Sequence, residues 1–201
     1  HRQKISHFGK ITEVEKRDRE ERKPKDFVAT NPGDLVEIDT IVKYLYGFKR
    51  YIITAVDVKT RYSFAYVYKH HGSISTKDFF KKLEQVFPYT IKRVQTDNGS
   101  EFHKYFMDYL KEQSVIHYFN YKGKPTKNGH IEKYNRTIQE EFVDWNEILL
   151  EDVDRFNDKL MDWLVWYNTK RFHWSLDLVS PVDYLINNGL LSKMMWTNTI
   201  S

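Results

Sequence analysis

"IKRVQTDNGSEF", residues 91–102, changes character halfway along and indicates how the chain is built. Its first six residues form a β-type run, and Asn98-Gly99 is a common turn sequence. After the turn, apolar residues recur at helical spacing: Phe102, Phe106, Tyr109 and Leu110. The stretch therefore predicts a strand that passes through a turn directly into a helix. Asp97, at the junction, has two interpretations: a turn residue bonded to its own backbone, or a metal-binding carboxylate at a strand end.

The elements on either side of this stretch indicate the fold class. Three β-type runs precede it, "LVEIDTIV" (35–42), "YIITAV" (51–56) and "YSFAYVY" (62–68), and predict an antiparallel meander. A helix is expected from Ser75, as its N-cap, to Phe87, and "VIHYFN" (115–120) predicts a fifth strand. Further helices are expected at 131–145 and 152–170. The sequence thus predicts an α/β fold, with a five-stranded mixed sheet of three antiparallel and then two parallel strands, flanked by helices.

The amino-acid composition excludes several kinds of site but does not by itself indicate a function. The 201 residues are 40% hydrophobic and 16% aromatic, which suits one globular domain, and no apolar run is long enough to span a membrane. The absence of cysteine excludes disulfides, thiol nucleophiles and Cys-containing zinc sites, so a metal would need oxygen or imidazole ligands. A net charge of +4 favours a polyanionic partner only slightly.

The chain divides into two parts by charge. Residues 1–30 are dense in charged residues and predict a linker or helical extension, while 31–201 form the compact domain. Because the sequence starts at His1 without Met, we expect a fragment of a longer intracellular protein from which upstream domains are missing.

Three acidic residues stand out, although each has an ordinary structural explanation. Asp39 lies in the middle of an apolar strand, where an ionised carboxylate is costly to bury unless it has a partner. Glu132 lies near the start of the helix expected at 131–145, at the edge of its core-facing stripe. That stripe comprises Ile131, Tyr134, Ile138, Phe142 and Trp145. Taken singly, these residues and Asp97 could be a strand Asp, a first-turn Glu and a turn Asp.

The longer motifs decide between these explanations. With "VEIDTI" (36–41), "TDNGSEF" (96–102) and "KPTKNGHIEKYNRTIQEEF" (124–142), the sequence resembles the retroviral-integrase-like DDE transposases of insertion-sequence type, from about Leu35 to Leu185. The resemblance implies a ribonuclease-H-like fold with an acidic triad at Asp39, Asp97 and Glu132. It also implies two Mg²⁺ or Mn²⁺ ions, donor 3′-end cleavage and DNA strand transfer. Residues 31–201 would be the catalytic core with its C-terminal helical extension, and residues 1–30 would extend from a missing N-terminal DNA-binding region.

The same resemblance implies a DNA-binding surface around Glu132. Cations and amides suited to phosphate contacts cluster there: Lys122, Lys124, Lys127, Asn128, His130, Lys133, Asn135 and Arg136. The implied partners are double-stranded DNA, as element ends and target, and further copies of the chain. No membrane partner is expected. The implied location is the cytoplasm of a bacterium, acting on chromosomal DNA.

Other residues receive structural interpretations. Asp57 is expected at a corner, paired with Lys59 or Arg61, and Glu37 and Glu101 are not expected to be metal ligands. Ser100 is expected to cap the following helix and Tyr134 to pack. Three tryptophans are expected to lie in the core or an interface in preference to stacking on bases: Trp163, Trp166 and Trp174.

Two alternative functions remain open. One is another ribonuclease-H-like nuclease, such as an RNA-cleaving enzyme or a junction resolvase, although the long motif match argues against it. The other is a domesticated DNA-binding module without catalysis, which an intact set of Asp39, Asp97 and Glu132 argues against.

Overall fold

The computed structural model describes residues 21–120 and 129–192, together with the backbone of Lys4–Ile5 and Ile11–Thr12. Those two dipeptides pair as a small antiparallel ladder, and residues 21–30 are non-helical, so the helix predicted for the charged extension does not appear in these described positions. No helix within the described ranges is long and apolar enough to cross a membrane.

The main sheet has the five predicted strands in the predicted directions. They are β1 Val36–Leu45, β2 Phe48–Asp57, β3 Ser63–Tyr68, β4 Arg93–Thr96 and β5 Ile116–Phe119. Their spatial order is β3-β2-β1-β4-β5. The pairs β1/β2 and β2/β3 are antiparallel, whereas β1/β4 and β4/β5 are parallel. The crossovers thus place the carboxyl ends of β1 and β4 on the same side of the sheet.

Helices flank this sheet, and their bounds follow the hydrophobic pattern closely. The α-helices are α1 Ser73–Val86, α2 Tyr105–Glu112, α3 Gly129–Ile138, α4 Val153–Thr169 and α5 Pro181–Asn187. Single 3₁₀ turns occur at Ser100–Phe102 and Trp174–Leu176. The core is rich in aromatic residues; Phe64 of β3, for example, packs against Phe79 of α1 with ring centroids 5.4 Å apart.

Two predicted helix starts are wrong by a few residues. Helix α1 begins at Ser73 after Gly72, and Ser75 lies inside it, where its hydroxyl donates to the carbonyl of His70 at 2.9 Å. Gly99, not Ser100, precedes the 3₁₀ turn at Ser100–Phe102, and no side-chain hydrogen bond caps that turn. A serine that hydrogen-bonds a nearby carbonyl has the same sequence signature as a cap.

The helix expected at 131–145 changes type before it ends. Helix α3 continues as a π-helix over Gln139–Val143 and then as a 3₁₀ helix over Asp144–Glu151, which contains non-helical backbone at Asn146. The wider π turn rotates the following side chains around the axis. Trp145, predicted to face the core, is therefore 82% exposed, while Tyr134 and Phe142 are buried as predicted.

Helix α4 protects the edge of the sheet at β3. Asp152 caps the helix start by accepting hydrogen bonds from the backbone amides of Asp154 and Arg155. Two buried asparagines of α4 then satisfy free backbone groups of β3. Asn157 bonds both the N–H and the C=O of Val67, and Asn168 does the same for Ser63. The edge strand is thus closed to further pairing.

The opposite edge is covered by the segment before the predicted domain boundary. Glu21 forms a parallel bridge with Tyr118, and its carbonyl accepts from the N–H of Phe119 at 2.9 Å. Phe27 packs edge-on against Tyr118 and beneath the guanidinium of Arg93. Residues 21–27 therefore pack on the same sheet as the compact domain that follows.

Candidate active site

Asp39 lies in the middle of β1, opposite Thr54 of β2, and is half-buried. Its Oδ1 accepts from the backbone N–H of Thr40 and its Oδ2 accepts from the side-chain amide of Asn135, each at 2.8 Å. Burial raises the pKa of Asp39 to about 6, against the opposing effect of the Thr40 hydrogen bond. Three neighbouring carboxylates add to this rise in pKa through their negative charge: Asp97, Glu101 and Glu132. The fold therefore brings the predicted triad into one electrostatic neighbourhood.

Asp97 follows β4 directly and combines its two possible roles. Its Oδ1 accepts from the backbone N–H of Gly99 at 2.8 Å, which forms the turn. The side chain is nevertheless exposed and close enough to Asp39 to influence its ionisation. A Cβ atom on Gly99 would lie 2.3 Å from Glu101 Oε2 and 3.0 Å from Asp97 Oδ1. A side chain at position 99 would therefore have to displace the carboxylate of Glu101.

Glu132 lies in the first turn of α3 and is exposed, where the helix dipole favours a carboxylate. One turn later, Asn135 is buried between α3 and the sheet. Its side-chain oxygen accepts from the hydroxyl of Thr54 at 2.7 Å while its amide donates to Asp39. Asn135, predicted as a DNA contact, is therefore placed where it ties the helix of Glu132 to the strand of Asp39.

Glu37 provides a second tie between β1 and α3 that the sequence interpretation did not foresee. It is only 2% exposed, and its Oε2 accepts from the backbone N–H of Ile131 at 2.9 Å. The first amides of a helix have no partner within it, so a buried carboxylate can satisfy one of them. Glu37 thus fixes the start of α3 immediately before Glu132. The available signal was a glutamate within an apolar strand run.

Glu101 is a fourth carboxylate in this neighbourhood. It is buried and forms an ion pair with His71, with 2.8 Å between Oε1 and Nε2. Because its charge also acts on Asp39, the structure places it beside the triad, although its bond to His71 engages one of its oxygens. The signal in the sequence was its position four residues after Asp97.

The carboxylates are neighbours, but their side chains do not form a complete metal-binding site. Within 21–120 and 129–192, no three His, Asp or Glu side chains stand close enough together to hold an ion. The donor set nevertheless fits a hard divalent cation, since it consists of carboxylate oxygens whose mutual repulsion a cation would relieve. Both Asp97 and Glu132 are exposed, so solvent ions can reach their carboxylates.

The predicted DNA-binding residues fall into three groups. Four of them lie outside the described residues: Lys122, Lys124, Lys127 and Asn128. Lys133 and Arg136 are exposed on α3, three residues apart and therefore on neighbouring positions of the helix surface. His130 is half-buried, and burial, followed by the charge of Arg61, lowers its pKa to about 4.

Asp57 occupies the corner position predicted for it, with different partners. Its Oδ1 accepts from the N–H of Gly33 at 2.9 Å, and its Oδ2 accepts from the N–H and hydroxyl of Thr60 at 2.8 and 2.7 Å. These hydrogen bonds take the place of the predicted pairing with Lys59 or Arg61. Asp57 therefore holds the turn between β2 and β3, as a structural residue.

Comparison with protein families gives two adjoining matches. The integrase core domain is matched over residues 29–125 and, by a second description of the same domain, over residues 113–181. Together these matches contain Asp39, Asp97 and Glu132.

Two individual proteins are similar to this chain over part of its length. A putative integrase, ORF3 of Spiroplasma virus SpV1-C74, is 30% identical over 166 residues, covering 74% of this chain and 45% of the viral protein. The transposase of insertion sequence element IS904 from Lactococcus lactis is 28% identical over 93 residues, covering 45% of this chain and 36% of that protein. The chain thus spans less than half the length of either relative.

Solved structures agree on the fold. The catalytic core domain of HTLV-2 integrase, in its trimeric form with magnesium, superposes with a TM-score of 0.61 at 16% identity, covering 78% of this chain and 99% of that one. The catalytic core domain of BIV integrase gives 0.59 at 19% identity, covering 78% and 97%. These similarities confirm the predicted ribonuclease-H-like fold.

Proposed function

Because the chain belongs to the integrase core domain family, we propose that it is the catalytic core of a DNA transposase that performs two-metal phosphoryl transfer for an insertion-sequence-type element. The observation that carries this proposal is the position of Asp39, half-buried on the central strand, with Asp97, Glu101 and Glu132 near enough to affect its ionisation. Such a concentration of negative charge in a partly buried place is typical of a site that binds cations.

Three of these carboxylates would hold the metal ions, Mg²⁺ or Mn²⁺: Asp39, Asp97 and Glu132. Two such ions would supply activation of the attacking oxygen and stabilisation of the leaving oxygen during in-line transfer. The chain's own contribution is to hold the carboxylates in place. Asn135 fixes one oxygen of Asp39 at 2.8 Å, and Glu37 fixes the helix start beside Glu132 at 2.9 Å. Glu101, bonded to His71, adds negative charge beside the three proposed ligands.

The reaction proposed is cleavage that frees a 3′-hydroxyl at the element end, followed by attack of that hydroxyl on target DNA. Phosphate contacts are proposed for the exposed Lys133 and Arg136 and for Lys122, Lys124, Lys127 and Asn128, with His130 beside them. The proposed partners are double-stranded DNA and further copies of the chain, and the proposed place of action is chromosomal DNA in a bacterial cytoplasm.

Strand transfer by the full protein tests the proposal most directly. Labelled element ends would be incubated with target DNA and Mg²⁺ or Mn²⁺, comparing wild type with Asp97→Asn. We expect joining to fall by roughly 10²–10³-fold, because the exposed carboxylate is lost without disturbing the core. Asp108→Asn, the same change at an exposed position of α2, is the matched control and should join normally.

Undiminished joining by Asp97→Asn would sink the proposal. The alternatives give different products in the same assay. A ribonuclease-H-like nuclease would cleave a nucleic acid substrate without joining it, and a domesticated module would bind DNA with no metal-dependent product in wild type.

A further inference from the structure

A cleft of about 450 Å³ lies on the side of α3 that faces away from the carboxylates. One wall is formed by His130, Lys133, Tyr134 and Thr137 of α3, and the other by residues 171–175 after α4. At about 100° per residue, those four helix positions share one face, whereas Glu132 and Asn135 lie on the opposite one. The cleft is therefore a separate feature from the proposed catalytic site.

The charge of this cleft is one-sided. Its lining includes Arg61, Lys133 and Arg171, and no Asp or Glu lines it among the described residues. Arg171 is already paired with Glu141, with 2.6 Å between Nη2 and Oε1. Arg61 bonds the carbonyl of Val58 and interacts with the charges of Asp57 and Glu37, which lie outside the lining. Lys133 is therefore the exposed cation of the cleft. Such a concave positive surface favours an anionic ligand.

Two buried polar groups of the lining have no hydrogen-bond partner. They are the hydroxyl of Tyr134 and Nε2 of His173, on side chains that are 2% and 9% exposed. Tyr167 packs between them, with ring centroids 5.3 Å from Tyr134 and 5.0 Å from His173. Buried polar groups are almost always hydrogen-bonded in native proteins. Both of these atoms are shielded from solvent, so an oxygen ligand would satisfy them only if the lining opened around it.

The mouth of the cleft is aromatic. Trp174 is 83% exposed and Phe172 is 68% exposed, so core packing, which was predicted as one possibility for Trp174, does not occur. By contrast, Trp163 does pack, with its ring centroid 5.6 Å from that of Phe142. Exposed aromatic rings next to cations are the combination that binds an unpaired nucleotide, since the base stacks while the phosphate is neutralised.

We propose that this cleft binds a phosphodiester of an unpaired DNA strand, with the adjoining base stacked on Trp174. Lys133, with Arg61 and Arg171 beside it in the lining, neutralises the charge of the phosphate. The choice of DNA as the ligand rests on the proposed function, but the binding itself requires neither metal nor catalysis. Because α3 is roughly 10 Å across, the same DNA molecule can reach both sides of it.

Binding of a labelled single-stranded oligonucleotide to the 201-residue chain in EDTA tests the cleft without the chemistry. Lys133→Gln should weaken binding and lower the slope of log affinity against log salt by about 0.7, as expected for the loss of one phosphate contact. Trp174→Ala should weaken binding roughly 5- to 150-fold, through lost stacking. Both side chains are exposed, so the variants should fold normally.

The chain offers a matched control for each variant. Lys159→Gln removes the same charge from an exposed position of α4, and Trp145→Ala removes a tryptophan that is 82% exposed outside the cleft. If Lys133→Gln and Trp174→Ala bind the oligonucleotide as their controls do, the inference is overturned. A second outcome also overturns it. If inorganic phosphate stabilises wild type but not Lys133→Gln, and Lys133→Gln binds DNA as tightly as wild type, the cleft holds a free anion and not a DNA phosphate.

Failure of the proposed function gives a different pattern. If wild type fails to join element ends with Mg²⁺ but the cleft variants still lose affinity relative to their controls, the proposed reaction is wrong and the cleft remains a nucleotide site. If wild type joins DNA normally and the cleft variants match their controls, only the cleft inference fails.

Discussion

Asp39 and Asp57 lie on adjacent strands, and their surroundings differ in a way that separates structure from chemistry. Asp57 is 1% exposed, and three hydrogen bonds from Gly33 and Thr60 engage both of its oxygens. Asp39 is more exposed, accepts two hydrogen bonds, and has three other carboxylates for neighbours. Burial raises the pKa of both groups, but only Asp39 has like charges that raise its pKa further.

The contrast shows that burial of a carboxylate is a poor guide to its role. The more deeply buried aspartate is the structural one, because protein donors satisfy it completely. The less buried aspartate is the better candidate for catalysis, because its neighbours repel it and leave a cation as the missing partner. Matched substitutions at the two positions should therefore have opposite consequences.

The largest expected difference is between Asp57→Ala and Asp39→Ala. Asp57→Ala leaves the Gly33 and Thr60 donors unpaired and should lower the free energy of unfolding by about 2–4 kcal/mol. Asp39→Ala also loses two hydrogen bonds but relieves repulsion, so its free energy of unfolding should stay within about 1 kcal/mol of wild type. Urea denaturation in EDTA measures both.

Joining assays should give the reverse order. Asp39→Ala should lose roughly 10²–10³-fold or more of strand transfer, because a proposed metal ligand is gone. Asp57→Ala, assayed where it is folded, should stay within a few-fold of wild type. Equal loss of stability in the two variants would contradict the distinction drawn between the two sites.

Glu37 lies between these extremes, since it is buried like Asp57 and acts on the site of Asp39. Glu37→Ala leaves the N–H of Ile131 unpaired and should lower the free energy of unfolding by about 1–3 kcal/mol. Joining should also fall by roughly 10- to 100-fold, as is usual when a group that orients metal ligands is removed.

Glu37→Gln is the control that separates positioning from stability and from charge. Its amide oxygen can still accept from Ile131, so joining should recover to within a few-fold of wild type. If Glu37→Gln joined DNA as poorly as Glu37→Ala, the hydrogen bond to α3 would not explain the loss of joining. The negative charge of Glu37 would then be the property that the site needs.

Much of this arrangement could be predicted from short-range patterns. The run at 91–102 predicted β4, the Asn98-Gly99 turn and the helical spacing that follows, and the crossovers then determined the directions of β4 and β5. The core-facing stripe of α3 predicted burial of Ile131, Tyr134 and Ile138. These features depend on residues that are near each other in sequence, where periodicity is informative.

The features that could not be predicted depend on contacts between distant residues. Glu37 bonds an amide 94 positions later, and Asn135 bonds a carboxylate 96 positions earlier. The exposure of Trp145 follows a π turn at Gln139–Val143, which a regular 3.6-residue period does not predict. Such contacts leave only weak sequence signals, such as an acidic residue in an apolar run.

The smallest effect at neutral pH is expected at His117, a half-buried imidazole on β5 that hydrogen-bonds the hydroxyl of Thr96 at 2.9 Å. It extends the comparison to an ionisable group with a single hydrogen bond, since Nδ1 of His117 is buried without a partner. Burial lowers its pKa to about 3, whereas an unfolded chain has a histidine pKa near 6.5. Between these values the unfolded state binds the extra proton, so stability falls as pH falls through this window, by up to about 1.4 kcal/mol per pH unit.

His117→Gln should remove this one-proton dependence and retain a side chain that can bond Thr96. Unfolding free energies measured at intervals from pH 6 to pH 4 should therefore decline less steeply in His117→Gln than in wild type. His70→Gln, at an exposed position, should keep the wild-type slope. Identical slopes of unfolding free energy against pH in all three proteins would mean that His117 titrates normally in the folded state. The sheet would then tolerate a charged side chain that lacks the full set of hydrogen-bond partners seen at Asp57.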